Sequence, residues 1–450
     1  MHIPDGYLSP ETCGVMYAAS APFWAVAAAR VRRLLRGRTV PLLAIFAAFS
    51  FAIMMFNVPV PGGTTAHGVG GTLVAIVLGP WAAVITTSVA LVIQALFFGD
   101  GGITAIGANC FNMAVVLPLT GYLSYRLIAG NSPRLSQRRI VAAAIGGYIG
   151  ITLAALCAGI ELGLQPQLWS SHGIPEYSPY GFGTAIPAML AAHAFGASFV
   201  EAAITALGVA YLQRAYPDLL PGPRESSTAE QAAASHGPSG WTIAGALTLL
   251  AAVVIFIAGL IKSSGDIGRW GGLDWSSVDW QAAGATVLVS AIVSAIVLPT
   301  IWYLLRQRHG LRNAALIFAA IAIWVPIGLI APGGAFAEDQ SATPQQVQEA
   351  LAALQQGDPS KFNALPDVNR RCKCVPSHIN DVTYSRHTVF NGYEPPWINP
   401  DKDPAWKQNL GYQLAALFGF GALGVIGFGL WQFGKWLVPR EAPDWRTAER

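Results

Sequence analysis

Long apolar runs, broken by short polar turns rich in glycine and proline, set the rhythm of this chain. In its first half they cover residues 13–35, 40–58, 69–78, 81–98, 103–127, 140–164 and 184–211. Most have the length at which an α-helix crosses the hydrocarbon core of a bilayer, roughly 20 residues. The third is short. Gly79-Pro80 separates it from the fourth, because proline lacks an N–H and forces its predecessor out of the helical region. That pattern predicts a short helix, a tight turn and a full-length helix. Pro217, Pro221, Pro223 and Pro238 among Ser, Glu and Gln mark a flexible linker. Further apolar runs follow at 241–262, 282–305, 314–332 and 410–436, with a long polar stretch before the last.

The pattern predicts an all-α fold, a polytopic integral membrane helical bundle with about seven spans in the core and about four after it. Five regions follow: a membrane core over 1–214, a linker over 215–239, additional membrane helices over 240–335, a loop domain over 336–408, and a last helix with a charged tail over 409–450.

Charge adds orientation. Only 11% of the 450 residues are charged and the net charge is +3, so no basic stripe for nucleic acid is present. The arginines instead gather in short loops: Arg30, Arg32, Arg33, Arg36 and Arg38, then Arg134, Arg138 and Arg139, then Arg306, Arg308 and Arg312. All three clusters fall on one side of the predicted bundle. Basic short loops face the cytoplasm, which places the N-terminus outside and the C-terminus inside a cell membrane. The five cysteines are too scattered for a disulfide framework. In the outer loop, residues 345–354 read as an amphipathic helix. Cys372 and Cys374 with His378 and His387 form a weak pattern, read either as a soft-metal relay or as a cysteine pair that oxidises. Ala335-Phe336-Ala337, after a basic and then apolar stretch, imitates a signal-peptidase site.

The chemistry concentrates at the start. Met1-His2 offers an α-amine, a backbone amide and an imidazole within two residues, which close a five- and a six-membered chelate ring and set three nitrogens in one plane with a fourth position open. Planar nitrogen coordination suits Ni(II) or Cu(II) better than tetrahedral Zn(II). No secretory leader precedes the first apolar run, so Met1 is expected to be the mature terminus. The topology puts His67, in Pro61-Gly62-Gly63-Thr64-Thr65-Ala66-His67, on the same membrane face as His2. Polar residues inside spans are costly and call for a role. Asn109 and Asn112, one helical turn apart, read as supports that hold the binding loops; Glu161 joins the list. His193 and Glu201 read as helix-to-helix hydrogen-bonding groups, outside the metal shell. Ala21, Ala25 and Ala29 make a small-residue stripe that permits close helix approach. An intramembrane metalloenzyme using His193, Glu201 and the Asn pair is the competing reading, and it lacks any His-Glu-x-x-His cluster.

Met1-His2-Ile3-Pro4-Asp5-Gly6, the Pro-Gly-Gly-Thr turn before His67, Leu78-Gly79-Pro80-Trp81 and Phe98-Gly99-Asp100-Gly101-Gly102-Ile103-Thr104-Ala105-Ile106-Gly107-Ala108-Asn109 together resemble the CbiM/NikM family. These are the substrate-capturing components of cobalt and nickel energy-coupling-factor transporters, and the resemblance covers about residues 1–214. It implies that the Met1 amine, the His2 amide and imidazole, and the His67 imidazole hold the metal. The cargo is then Co(II) or Ni(II), with no permanent cofactor and no covalent chemistry. It also implies that the alanine stripe docks a transmembrane coupling protein. No Gly-x-x-x-x-Gly-Lys-Ser/Thr loop occurs, so energy is expected from partner ABC ATPases; an autonomous ion-driven permease is the alternative. By topology alone, the last two helices and their outer loop resemble the small accessory membrane subunit sometimes fused to such components.

Overall fold

The structure is a computed structural model that describes residues 1–34, 39–60, 64–171 and 174–222, with parts of 344–365 and 393–425. Helix α1 (Pro10–Leu34) starts at Ser9, whose hydroxyl accepts the Thr12 amide proton at 3.1 Å. A serine cap followed by proline is a strong start signal, since neither loses a helical hydrogen bond there. Helix α2 (Thr39–Met55) leads into strand β1 (Asn57–Val60), which pairs antiparallel with β2 (Thr64–His67), Asn57 opposite His67. The sequence reading had an outer loop here. The β-branched residues Val58, Val60, Thr64 and Thr65 favour an extended backbone, and the result is a hairpin with His67 at its end. The described fold is therefore mostly helical and not purely so; a second two-stranded pair, β3 (Ser170–Ser171) with β4 (Ile174–Pro175), follows later.

Helix α3 (Gly71–Leu78) is short and ends at Gly79, whose φ of 89° breaks the helix; Pro80 then opens α4 (Pro80–Ile93). Helix α4 continues into a π-helical turn, Gln94–Phe98. A Gly-rich loop follows, then α5 (Ile106–Cys110), a second π turn (Phe111–Val116) and α6 (Leu117–Ala129). Helix α7 (Gln137–Leu168) is the axis of the bundle. Its Gly146 and Gly150 face α6 so closely that an added Cβ would lie 2.6 Å from the Gly121 carbonyl and 2.7 Å from that of Leu117. Small residues at such crossings let helix backbones meet. Helix α8 (Phe182–Ala192), a π turn (His193–Ala197) and α9 (Ser198–Ala215) close the core.

Five of these helical stretches are long and apolar enough to cross a membrane: Pro10–Val31, Pro80–Phe98, Ile106–Ala129, Gln137–Leu168 and Phe182–Ala215. The other two predicted core spans correspond to shorter helices, the apolar Leu42–Met55 part of α2 and the 8-residue α3. The amphipathic helix expected at 345–354 is present as Pro344–Gln355. Of the predicted four later spans, only Leu410–Leu423 of the last lies among the described residues, as a short apolar helix. The Cys372, Cys374, His378 and His387 group, the additional helices at 240–335 and the signal-peptidase-like motif lie outside the described residues.

Candidate metal centre

The N-terminal segment enters the bundle as buried irregular chain. Ile3 is fully buried and Met1, His2 and Asp5 nearly so. Asn109 grips Ile3 like a neighbouring strand, accepting its amide proton at 2.8 Å and donating to its carbonyl at 3.1 Å. Gly102 donates its amide to the same carbonyl at 2.8 Å. Asp5 accepts the amide protons of Ile103 and Thr104 at 3.0 and 2.8 Å, which ties the segment to the Gly-rich loop. Gly101 has a φ of 83°, and a Cβ there would stand 2.9 Å from Asn109 Nδ2 and 3.1 Å from His2 Cδ2. Only glycine fits both that backbone and that space.

His67 arrives from β2. Its Nδ1 donates to the Gly68 carbonyl at 2.8 Å, and the next two amides, of Val69 and Gly70, donate to Glu201 Oε2 at 2.7 and 2.8 Å. The two imidazoles meet with His2 Nδ1 3.0 Å from His67 Nε2 and ring centroids 4.9 Å apart. What their other nitrogens do decides the chemistry. His2 Nε2 lies 3.3 Å from Gln94 Oε1, while Gln94 Nε2 points to Asp100 Oδ2 at 3.4 Å and to the Tyr393 hydroxyl at 2.8 Å. A carboxylate accepts only, so it fixes the amide with its oxygen towards His2, and the His2 proton then sits on Nε2. His67 carries its proton on Nδ1. Both nitrogens that converge are therefore lone pairs, an arrangement that repels itself and attracts a cation.

Burial, helped by the nearby terminal amine, holds the His2 imidazole down at about 3 and His67 well below the usual histidine range. Asp100 Oδ1 approaches His2 Nδ1 at 3.3 Å. With a neutral ring this is a polar contact and no ion pair; burial raises the Asp100 carboxyl in turn. Among the described residues no set of three or more His, Cys, Asp or Glu side chains is arranged to hold an ion.

The other sequence candidates separate. Asn109 supports the terminal segment. Asn112 does not touch a binding loop; it donates to Glu161 at 2.9 Å, joining two helices. Glu201 joins helices, as read from the sequence: from α9 it accepts the amides of Val69 and of Gly70, the residue that caps the start of α3. His193 bonds differently: its Nδ1 donates to the Met189 carbonyl of its own helix at 2.8 Å. Ala21, Ala25 and Ala29 are all exposed on α1. Gln94, Asp5 and Asp100 were missed as site residues. Gln94 carried the signal that singled out Asn109, a lone amide in an apolar run, and both aspartates sit in the quoted glycine-rich motifs. Tyr393 carried none.

Comparison with known proteins places the first half of the chain in a family. The model of the CbiM family, described as the cobalt uptake substrate-specific transmembrane region, matches residues 2–219. The fused nickel transport protein NikMN of Rhodobacter capsulatus is 48% identical over 286 residues, covering 63% of this chain and 80% of that protein. The probable fused nickel transport protein LarMN of Lactiplantibacillus plantarum is 51% identical over 220 residues, 48% of this chain and 66% of that protein. A truncated transition metal transporter of known crystal structure is 56% identical, with a TM-score of 0.44, over 47% of this chain and 98% of that one.

Proposed function

The chain belongs to the CbiM/NikM family of cobalt and nickel transport membrane components, and from that premise we propose that it captures Ni(II) or Co(II) between its N-terminus and His67. The observation that carries the proposal is the 3.0 Å approach of His2 Nδ1 to His67 Nε2. With metal–nitrogen bonds of about 2.0–2.1 Å, adjacent donors in a plane lie about 2.8–3.0 Å apart and tetrahedral donors about 3.3 Å or more. The observed spacing supports neighbouring positions of a plane. The Met1 amine and the deprotonated His2 amide supply the other two, the amide being the one donor fused by chelate rings to both its neighbours. Co(II) and Ni(II) both accept this set.

On this reading the metal binds at the outer face, with the N-terminus outside and the C-terminus inside. Transport inward requires a transmembrane coupling protein and ABC ATPases, as in energy-coupling-factor importers, and Ala21, Ala25 and Ala29 are the docking stripe. Residues 1–214 are the capturing unit. The helices and outer loop beyond the 215–239 linker act as a fused accessory unit.

Calorimetric titration of Ni(II) and Co(II) into purified full-length protein tests the site. Wild type should bind one ion tightly; His2→Ala, His67→Ala and a chain extended by one residue before Met1 should not. Unchanged affinity in the extended chain would place the metal elsewhere. Reconstitution tests the partners: the chain alone should give little ATP-dependent uptake until coupling protein and ATPases are added.

A further inference from the structure

Tyr393 lies far from the terminus in sequence and at its centre in space. Its hydroxyl accepts a hydrogen bond from Gln94 Nε2 at 2.8 Å and donates a short one to Asp100 Oδ2. Both partners face His2, Gln94 through Oε1 at 3.3 Å and Asp100 through Oδ1 at 3.3 Å. The tyrosine is 4% exposed. Its ring is held by Phe98 and Phe51, with centroids 5.1 and 6.4 Å away, and by Tyr412 at 5.4 Å. Phe418, from the same short apolar helix as Tyr412, meets Phe98 at 6.3 Å. Tyr393 also has a φ of 66°, and no other described residue except glycine has a positive φ. A bulky residue in the left-handed region is strained and persists where its surroundings over-determine it, which points to a task.

We infer that Tyr393 is a positioning residue for metal capture, acting through Gln94 on the His2 ring. The steps follow from donor and acceptor chemistry. A metal needs the His2 Nδ1 lone pair, so the proton must stay on Nε2, and an acceptor at Nε2 keeps it there. Gln94 is that acceptor only while its amide is turned with oxygen towards His2. An amide is free to flip, and the two contacts that oppose the flip are Asp100, at a long 3.4 Å, and Tyr393 at 2.8 Å. The tyrosine closes the circuit by giving its own proton to Asp100, so its oxygen is available to accept from Gln94. Tyr393 thereby sets the tautomer of a histidine 391 positions before it in the chain.

The inference rests on the capture site proposed above, and one experiment separates the two. Ni(II) affinity, thermal unfolding and the visible ligand-field band of bound Ni(II) are measured for the full chain and for Tyr393→Phe, Gln94→Ala, the double variant and His2→Ala. Phenylalanine keeps the ring packing and removes only the hydroxyl. Support for a ligand comes to about tenfold or more in affinity, so Tyr393→Phe should bind about tenfold more weakly, with an altered band at saturation and unchanged unfolding. Gln94→Ala should do the same, and the double variant should bind no worse than the weaker single. A Tyr393→Phe affinity within twofold of wild type with an unaltered band overturns the inference. So do losses that simply add in the double variant, which would mean that the two residues act separately. Normal binding by His2→Ala would instead remove the capture site itself.

Discussion

The two ends of the bundle solve the same problem with opposite chemistry. At the end that holds the α6–α7 turn, donors collect main-chain carbonyls: Arg139 reaches the carbonyls of Ser132 at 2.6 Å, Pro133 at 2.9 Å and Pro221 at 2.6 Å, and the Tyr125 hydroxyl at 2.9 Å. Gln213 and Arg134 add the carbonyls of Ser136 and Gly222. At the end that holds His2, acceptors collect main-chain amides instead. Asp5 takes those of Ile103 and Thr104, Glu201 those of Val69 and Gly70, Asn109 that of Ile3, and Gln165 that of Ser9 at 2.9 Å. Along α7, Arg139 and Gln165 stand about 39 Å apart, at 1.5 Å per residue over 26 residues. The difference is informative. Side-chain oxygens at the His2 end take up the amides, and two histidine nitrogens are left facing each other. The Arg139 end brings no such pair together, and it is scaffold.

The sharpest way to break this comparison is to remove the unspent nitrogens. His67→Ala, His2→Ala and extension of the chain ahead of Met1 should each reduce Ni(II) affinity by at least about a hundredfold, since a planar set loses a ring or a corner. A tag after Arg450 should change nothing. If the histidine variants retained binding, the facing lone pairs would be an accident of packing.

Next in size is Asn109→Ala. It frees the Ile3 amide, leaves the Ile3 carbonyl to Gly102 alone, and lets the terminal segment shift. Loss of a group that orients ligands typically costs 10- to 100-fold in metal affinity, and titration should show a loss in that range. An Asn112→Ala protein should bind normally by the same assay, because Asn112 serves Glu161.

That contrast also shows what a sequence can and cannot disclose. Apolar run length located the long helices, and Gly79-Pro80 located the break between α3 and α4, because both obey local rules. The chelating pair was legible because Met1 and His2 are adjacent. Asn109 and Asn112 look alike in the sequence, and only the packing of α7 beside one and the N-terminal segment beside the other tells them apart. That Glu201 joins helices was legible from its place in a span, but its partners were not: they are amides at the start of α3 about 130 residues away, and main-chain donors leave no mark in a sequence. The hairpin at His67 was read as a loop because four-residue strands are too short to show an alternation. Tyr393 was beyond reach, since nothing local distinguishes it from any other tyrosine in a polar stretch.

The Arg139 end should respond in stability and not in affinity. Arg139→Ala removes the hydrogen bonds of a buried guanidinium to the carbonyls of Ser132, Pro133 and Pro221 and to the Tyr125 hydroxyl, and each is worth about 0.5–1.5 kcal/mol net. Thermal unfolding in detergent should therefore show a loss of about 2–4 kcal/mol, while Ni(II) affinity at 25 °C stays within about twofold. A large affinity change would mean that α7 transmits strain along its whole length, and that the two ends are not independent.

The smallest expected effect on metal lies on the face that neither end uses. Ala21, Ala25 and Ala29 are exposed, whereas Ala27, on the other side of α1, is fully buried. Ala25→Leu adds bulk at a position exposed among the described residues, and surface substitutions of that kind usually change stability by no more than about 0.5 kcal/mol. Metal affinity should be unaltered within error. If the stripe is where a coupling protein approaches, however, the added side chain holds the two helix backbones apart and close packing is lost. Co-purification of the tagged variant with coupling protein and ATPases should then fall well below wild type, while Ala27→Leu should unfold the protein instead. Equal recovery of the complex with Ala25→Leu would move the docking face to another helix and leave the stripe as lipid-facing surface.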